Sequence, residues 1–361
     1  MNKKIGMLTW HYYNNFGSAL QAYALQQAIK SLGYDCQIIN YRDRKFGNTH
    51  FVKIKMMALI SKLKIMKQYC FPFIEFQEKY LSQSKVFQDP NRLGNVSKIY
   101  DAVVCGSDQI WAPNVFDPVY MLQFVPEQTK KISYAASVGL NDIPEHLIKE
   151  YNKLLQRFSS ISVREKQGGD LLKEKCSIDS ELVLDPTLLI PFDHWEKIEH
   201  GISISKNKPF IFCYFLNHEH KYKESVEKYA KQAHVEIIGV SSNQNDGVWM
   251  NILPNNIGPR EFLWLIHNAE AVFTDSYHGT IFSLIYHKDF VTFERFDASD
   301  EICQNSRISQ LADYFNIGNR IINIKQTESI SIKEVDYFEF ERELTKYREL
   351  SITFLREALE D

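Results

Sequence analysis

Short apolar runs alternate with amphipathic segments along most of this chain. Runs of strand length occur at 4–9, 36–40, 100–105, 210–216 and 271–273. The segment after the first run has apolar residues at helical spacing, namely Leu20, Ala24, Leu25, Ala28 and Leu32. Strands that alternate with helices in this way are typical of parallel sheets with helices on their faces. The pattern therefore predicts an α/β protein built from βαβ units.

The length of 361 residues corresponds to two domains of ordinary size. We place an N-terminal Rossmann-like domain at 1–190, which carries a basic helical insert at 50–74. A second Rossmann-like domain is predicted at 191–330. The remaining residues, 331–361, read as a long helix that packs back across the domains.

Composition excludes several classes of protein. The formal net charge of −3 argues against a nucleic-acid surface. Six dispersed cysteines without a CxxC pair argue against a zinc ribbon and suit the reducing cytoplasm. No GxGxxG follows the first strand, so a dinucleotide enzyme is disfavoured. The chain has neither a signal-peptide core nor an apolar run of membrane-span length, which predicts a cytoplasmic protein.

The insert at 50–74 has two interpretations. It contains five lysines and no acidic residue, and apolar residues separate the lysines. Such a segment can lie on an anionic membrane, which would bring the protein to the inner face of the cell membrane. Alternatively, its apolar side packs on the domain while the lysines stay in water.

The stretch AVFTDSYHGT at 271–280 combines an apolar strand with a polar turn and a helix start. Ligands of open parallel sheets bind beyond the carboxyl ends of strands, and helix N-termini there attract anions. His278 can carry a proton near neutral pH, and Gly279 allows a ligand to approach the backbone. The alternative is an ordinary capped helix whose histidine bonds to a neighbouring loop.

Other strand ends carry candidate groups of the same kind. Gly17 and Ser18 place backbone amides at a helix start, suited to a phosphate or carboxylate. Asp108 can accept a hydrogen bond from a sugar hydroxyl, and Trp111 can cover a sugar face. Arg164 has the fork geometry that binds phosphate or carboxylate. In the structural alternative, Asp108 caps a turn, Trp111 lies in the core and Arg164 pairs with an acidic side chain.

Taken together, these segments resemble the polysaccharide pyruvyl transferase family over most of the chain. The segments that carry the resemblance are 15–25 (NFGSALQAYAL), 106–111 (GSDQIW), 133–137 (SYAAS), 162–165 (SVRE), 185–187 (DPT), 274–280 (TDSYHGT) and 305–307 (NSR). The resemblance implies a glycosyltransferase-B-like fold with two Rossmann-like domains facing a cleft. It also implies transfer of a pyruvyl group from phosphoenolpyruvate to a sugar of a surface polysaccharide or its lipid-linked precursor, which forms a ketal.

The implied chemistry suggests roles for individual residues. His278 is expected to move protons, and Asp275 to orient it or a sugar hydroxyl. Donor contacts are expected at Arg164, Ser276, Gly279, Thr280, Arg295, Arg307, Gly17 and Ser18. Acceptor contacts are expected at Asn15, Ser107, Asp108, Gln109 and Trp111. The resemblance implies phosphoenolpyruvate as the co-substrate. No metal or other cofactor is expected, because arginines can neutralise its anionic groups.

One position departs from the family pattern. Members carry an arginine two positions before the histidine, and this chain has Ser276 there. Another cation must therefore replace it, or the donor differs. Two alternatives stay open: a nucleotide-sugar glycosyltransferase of the same fold, and a non-catalytic subunit of glycan assembly.

Overall fold

The computed structural model describes residues 3–42, 71–202, 208–216, 220–241, 250–252, 257–297, 300, 303–323, 332 and 334–360. The chain divides into two compact units. Unit 1 comprises Met1–Ile190 together with Thr345–Asp361, and unit 2 comprises Pro191–Leu344. The insert predicted at 50–74 lies almost entirely outside the described residues, and so does the membrane contact proposed for it.

Unit 1 contains a parallel sheet in the order β2-β1-β3-β4, with a short parallel pair β5-β6. Its strands are β1 (Lys4–Leu8), β2 (Asp35–Ile38), β3 (Ala102–Cys105), β4 (Lys130–Ser133), β5 (Ser162–Val163) and β6 (Glu181–Leu182). Its described α-helices are α1 (Phe16–Ser31), α2 (Phe71–Tyr80), α3 (Leu93–Ser97), α4 (Glu145–Leu155) and α5 (Lys166–Cys176). Short 3₁₀ turns lie at Pro90–Arg92, Pro113–Val115, Pro118–Met121 and Pro186–Leu189.

The central strands of unit 1 are buried on both faces, as expected when helices cover a parallel sheet. All four residues of β3 are buried, and β3 pairs with β1 from Ile5 opposite Ala102 to Leu8 opposite Cys105. Because the strands are parallel, the turns that follow β1, β3 and β4 come together at one edge of the sheet. That edge carries most of the unit 1 residues singled out from the sequence.

Unit 2 contains a six-stranded parallel sheet in the order β12-β11-β10-β7-β8-β9. Its strands are β7 (Phe210–Phe215), β8 (Glu236–Ser241), β9 (Asn251–Ile252), β10 (Ala271–Thr274), β11 (Asp289–Phe293) and β12 (Ile321–Ile322). Its described α-helices are α6 (Phe192–Ile198), α7 (His220–Ala233), α8 (Pro259–Asn268), α9 (Tyr277–Ile285) and α10 (Ser306–Phe315), with a 3₁₀ turn at Gly318–Arg320.

The last helix, α11 (Tyr337–Glu360), starts in unit 2 and ends in unit 1. The end of α11 is hydrogen-bonded to the residue that precedes β1. Lys3 donates to the carbonyl oxygens of Leu359 and Glu360 at 3.3 and 3.0 Å. The packing of this helix across the domains stays a prediction. None of the described helices is long and apolar enough to cross a membrane.

Candidate functional site

The turn between β10 and α9 holds the central residues of the unit 2 site. Ser276 is the N-cap of α9, and its hydroxyl accepts a hydrogen bond from the Gly279 amide at 3.3 Å. The Ser276 amide in turn donates to the Thr274 hydroxyl at 3.0 Å. A capping serine satisfies an amide that the helix itself leaves unpaired. Ser276 therefore has a structural role that the donor-site prediction did not include.

The close packing of α9 on β10, the strand that precedes it, requires glycine at position 279. A Cβ at this position would lie 2.5 Å from the Oγ1 atom of Thr274. Thr274 cannot easily move, because it is buried and its hydroxyl donates to the Tyr214 carbonyl at 2.6 Å. The sequence argument that Gly279 makes room for a ligand is therefore replaced by a close approach of α9 to β10.

Thr280 lies inside unit 2. Its side chain is fully buried, and its hydroxyl lies 2.7 Å from that of Thr292 on β11. It also donates to the Ser276 carbonyl at 3.1 Å. The Thr280 hydroxyl therefore joins α9 to the neighbouring strand, and its contact with the donor stays a prediction.

His278 is 7% exposed and follows Tyr277, whose ring has a cation beside it. Its ring meets the Tyr277 ring edge-on, with centroids 5.2 Å apart. The guanidinium of Arg307, from the first turn of α10, lies 5.6 Å from the centroid of the same tyrosine ring. Tyr277 therefore links the predicted proton carrier to a predicted donor-binding arginine.

Two arginines of unit 2 share one neutral acceptor. Arg307 donates to Oε1 of Gln304 at 2.9 Å, and Arg295 donates to the same oxygen at 3.1 Å. Arg307 is nearly buried, whereas Arg295 is half-exposed. Two guanidinium groups on one amide oxygen repel each other, and an anion beside them would relieve that repulsion.

Asp275 and Arg295 both influence the pKa of the Tyr214 phenol. Asp275 accepts a hydrogen bond from the Leu216 amide at 2.7 Å, at the carboxyl end of β7. Burial raises the pKa of Tyr214; Asp275 raises it further and Arg295 lowers it. Asp275 and Arg295 thus lie near one another at the carboxyl edge of the unit 2 sheet, as expected from the positions of β7, β10 and β11.

Arg164 of unit 1 belongs to a buried network of charges. Its side chain is fully buried and donates to Asp185 at 2.9 Å and to Asp108 at 3.4 Å. A third carboxylate, Glu165, has an oxygen 3.8 Å from its Nε atom. Carboxylates of its own unit surround this guanidinium, and the role of Arg164 in binding the donor stays a prediction.

Asp108 and Ser18 belong to the same network. The Ser18 hydroxyl donates to Asp108 at 2.6 Å, and the Asp108 carboxylate also accepts from the Gln109 amide at 2.9 Å. Asn15 caps α1, with its side chain accepting from the Ser18 amide at 3.0 Å. The Ser18 amide is therefore already bonded to the Asn15 side chain. The Asp108 carboxylate connects three segments of unit 1, and its bond to a sugar hydroxyl stays a prediction.

Two further acceptor residues are interior. Trp111 has no exposed surface, and its indole N–H donates to the Tyr120 carbonyl at 3.2 Å. Ser107 is also fully buried and donates to the Ala135 carbonyl at 2.9 Å. Both side chains have partners in the interior of unit 1, and their acceptor roles stay predictions. Gly17 is buried, Gln109 and Asn15 are half-buried, and the ligand roles of these three stay predictions.

Sequence reasoning missed Tyr277 and Gln304, which connect the unit 2 residues. Gln304 directly precedes the NSR segment at 305–307, so its position was the available signal. Nothing in the sequence indicated that Arg295 would reach it from the end of β11. The structure thus brings together His278, Asp275, Arg295 and Arg307 within unit 2.

Comparisons with known proteins identify the family of this chain. The model of the polysaccharide pyruvyl transferase family matches residues 15–295. The chain belongs to the polysaccharide pyruvyl transferase family. This membership supports a transferase that acts in polysaccharide pyruvylation in general. A search of curated proteins found no match.

Solved structures show the fold of this family member. A UDP-GlcNAc 2-epimerase from Neisseria meningitidis, bound to UDP-GlcNAc, is similar with a TM-score of 0.50 at 12% identity, covering 97% of this chain and 93% of that one. An alpha-glucosyltransferase in complex with UDP and a 13-mer DNA has a TM-score of 0.50 at 10% identity, covering 97% and 95%. The fold is α/β with two Rossmann-like units, of the glycosyltransferase-B type.

Proposed function

We propose that this protein transfers a pyruvyl group from phosphoenolpyruvate to a sugar of a surface polysaccharide or its lipid-linked precursor, and that the product is a pyruvate ketal. The observation that carries the proposal is the pair Arg295 and Arg307 on one oxygen of Gln304, next to Tyr277 and His278. Family membership supports the transferase class. The donor and the ketal are our own inference from the chemistry of these side chains.

The two arginines suit the charge of the donor. Phosphoenolpyruvate carries a phosphate and a carboxylate on the same carbon, so two neighbouring guanidinium groups can each bind one anionic group through paired N–H donors. The shared Gln304 oxygen holds both groups in place before the donor arrives, which lowers the entropy lost on binding.

Arg307 can replace the arginine that the family pattern has at the position of Ser276. The family pattern has a cation two residues before the histidine, and here that position caps a helix. The Arg307 guanidinium instead lies on Tyr277, the residue directly before His278. In this proposal Arg307 supplies from α10 the positive charge that position 276 lacks.

His278 would move the protons of the reaction. One proton adds to the methylene carbon of phosphoenolpyruvate and makes it a methyl group, while the carbon that bears the phosphate becomes electron-poor. A first sugar hydroxyl forms a C–O bond to that carbon and loses its proton to His278, which restores the proton given to the methylene. A second hydroxyl forms the other C–O bond as the bond to phosphate breaks, and its proton leaves with the phosphate.

Calorimetric titration of the purified full chain with phosphoenolpyruvate tests the donor. We expect saturable binding that becomes roughly tenfold weaker or more in Arg307→Gln and in Arg295→Gln, because each removes a charge-assisted contact. Arg342→Gln is the matched control, since Arg342 is an exposed arginine of the same unit that pairs with Glu339 and Glu343.

The outcomes separate the alternatives. Binding of UDP-N-acetylglucosamine or another nucleotide sugar, with none of phosphoenolpyruvate, would establish the glycosyltransferase instead. Binding of neither donor would favour the non-catalytic subunit. Equal weakening by Arg342→Gln would show a general effect of charge and would remove the support for this pair.

A further inference from the structure

An aromatic group follows β1 at the carboxyl edge of the unit 1 sheet. Trp10, Tyr12 and Tyr13 are all half-buried, in contrast to Trp111, which is fully enclosed in the core. The Tyr12 and Tyr13 rings lie against each other with centroids 4.2 Å apart, and the Tyr12 hydroxyl donates to that of Tyr13 at 2.8 Å. Trp10 meets Tyr13 edge-on at 5.9 Å.

A cation completes this group. Arg42, which lies shortly after β2, is half-buried, and its guanidinium stands 5.6 Å from the centroid of the Tyr12 ring. Its Nε atom donates to the Asn40 side-chain oxygen at 2.9 Å. β1 and β2 are neighbours in the sheet, so the two strand ends deliver the tyrosines and the arginine to the same place.

Buried hydrogen bonds fix the aromatic segment. The Gln21 amide donates to the Trp10 carbonyl at 3.0 Å and to the Thr9 hydroxyl at 2.9 Å. His11, between the aromatic residues, is buried, with one ring nitrogen 3.0 Å from the Thr9 carbonyl and the other 3.2 Å from the Asn40 oxygen. A binding surface whose residues are already held in place loses little entropy when a ligand arrives.

We propose that Trp10, Tyr12, Tyr13 and Arg42 bind a saccharide, with a sugar ring stacked on the aromatic faces and its hydroxyls bonded to Arg42 and the phenols. Aromatic rings with a polar tip suit a ligand that is apolar on its C–H face and polar at its rim. A nucleobase fits less well, because the two tyrosine rings already touch and leave no slot between them. The choice of a saccharide rests on the proposed function, in which this surface holds the acceptor.

This assignment replaces the acceptor contacts expected from the sequence. Ser107 and Trp111 are enclosed, and Asp108 is engaged within unit 1. The tyrosines lie at the same edge of the sheet but retain exposed surface. The sequence held the signal in the run WHYYNN at 10–15, where three aromatic residues follow a buried strand.

Saturation-transfer-difference NMR on the full chain tests the proposal without phosphoenolpyruvate. The probes are the methyl β-glycosides of glucose, galactose, mannose, N-acetylglucosamine and N-acetylmannosamine, with UMP as the competing class. We expect signal on the ring protons of at least one glycoside, and roughly tenfold weaker binding in Tyr13→Ala and in Arg42→Met. Tyr13→Phe keeps the stacking face and is expected to bind within about threefold of the unchanged protein.

Tyr34→Ala is the matched control. Tyr34 is a half-buried tyrosine of the same unit that precedes β2, at the opposite end of that strand from Arg42. Its removal should leave glycoside binding unchanged, and the unfolding midpoint of each variant is measured to show that it is folded. Glycoside signals equal in all variants, signals from UMP alone, or no glycoside signal at all would each overturn the proposal. Because phosphoenolpyruvate is absent, failure of donor binding in calorimetry leaves this result unaffected.

Discussion

Arg164 and Asp185 form an ion pair that is fully enclosed in unit 1, with the Nη1 and Oδ2 atoms 2.9 Å apart. The Asp185 carboxylate also accepts from the Thr187 amide and hydroxyl, at 3.0 and 2.7 Å. Breaking such a pair leaves an uncompensated buried charge. We therefore expect Arg164→Met to lower the free energy of unfolding by about 3–5 kcal/mol, measured by urea denaturation followed by circular dichroism.

The matched control for this prediction is Lys173→Met. Lys173 pairs with Asp179 at 2.7 Å, but both side chains are largely exposed. Because water screens the two charges, such a pair contributes little to stability, so no measurable change in unfolding free energy is expected. If Arg164→Met were as stable as the unchanged chain yet unable to bind phosphoenolpyruvate, the result would support the predicted role of Arg164 in binding the donor.

Gly279→Ala tests the close approach of α9 to β10. The added methyl group would meet the buried Thr274 side chain at 2.5 Å, so we expect a loss of about 1–3 kcal/mol in unfolding free energy. Gly318→Ala is the control, because a Cβ there meets nothing within 4 Å. Similar urea midpoints for both variants would contradict the packing argument.

Gln304→Leu should weaken the binding of phosphoenolpyruvate without slowing the reaction. Removing the oxygen that holds Arg295 and Arg307 lets the two guanidinium groups move apart, while His278 stays in place. We expect KM for phosphoenolpyruvate to rise roughly tenfold with kcat nearly unchanged, measured by phosphate release. An equal fall of kcat would show that Gln304 acts on the reacting atoms.

His278→Ala should abolish proton transfer while the arginines still bind the donor. Removing a general acid–base group costs about 10²- to 10⁴-fold in rate. The pyruvate content of glycan from cells that carry only this variant should therefore fall to background, while calorimetry still detects phosphoenolpyruvate. Unchanged glycan pyruvylation would exclude His278 as the proton carrier.

His11 makes stability depend on acid pH. Burial lowers the pKa of His11 to about 4, and the charge of Arg42 lowers it too, whereas hydrogen bonds to the Thr9 carbonyl and the Asn40 side-chain oxygen raise it. The unfolded histidine has a pKa of about 6.5, so the unfolded state binds more protons between pH 6.5 and 4. The corresponding stabilisation is complete above pH 6.5 and is lost as the pH falls towards 4, by roughly 3 kcal/mol.

The measurement is the unfolding free energy at several pH values for the unchanged chain and for His11→Asn. The variant should show a slope flatter by about one proton in this interval, whatever its absolute stability. Parallel curves for the two proteins would mean that His11 titrates alike in the folded and unfolded states.

Periodicity predicted the two βαβ-rich units well, because buried parallel strands such as β3 and β10 are continuous apolar runs. The sites were harder to predict. An arginine looks the same in sequence whether it is enclosed by carboxylates, as Arg164 is, or lies beside a second arginine, as Arg307 does. Their difference depends on long-range contacts: Asp185 encloses one, and Gln304 pairs the other with Arg295.

Unit 1 is assembled from two distant pieces of chain, since Thr345–Asp361 belongs with Met1–Ile190. The Leu184 amide donates a hydrogen bond to the Ser351 hydroxyl oxygen at 2.9 Å, which joins the two pieces. A ribosome makes these last residues only after all of unit 2. Unit 1 therefore cannot complete its native contacts during synthesis until unit 2 and the segment Thr345–Asp361 have emerged.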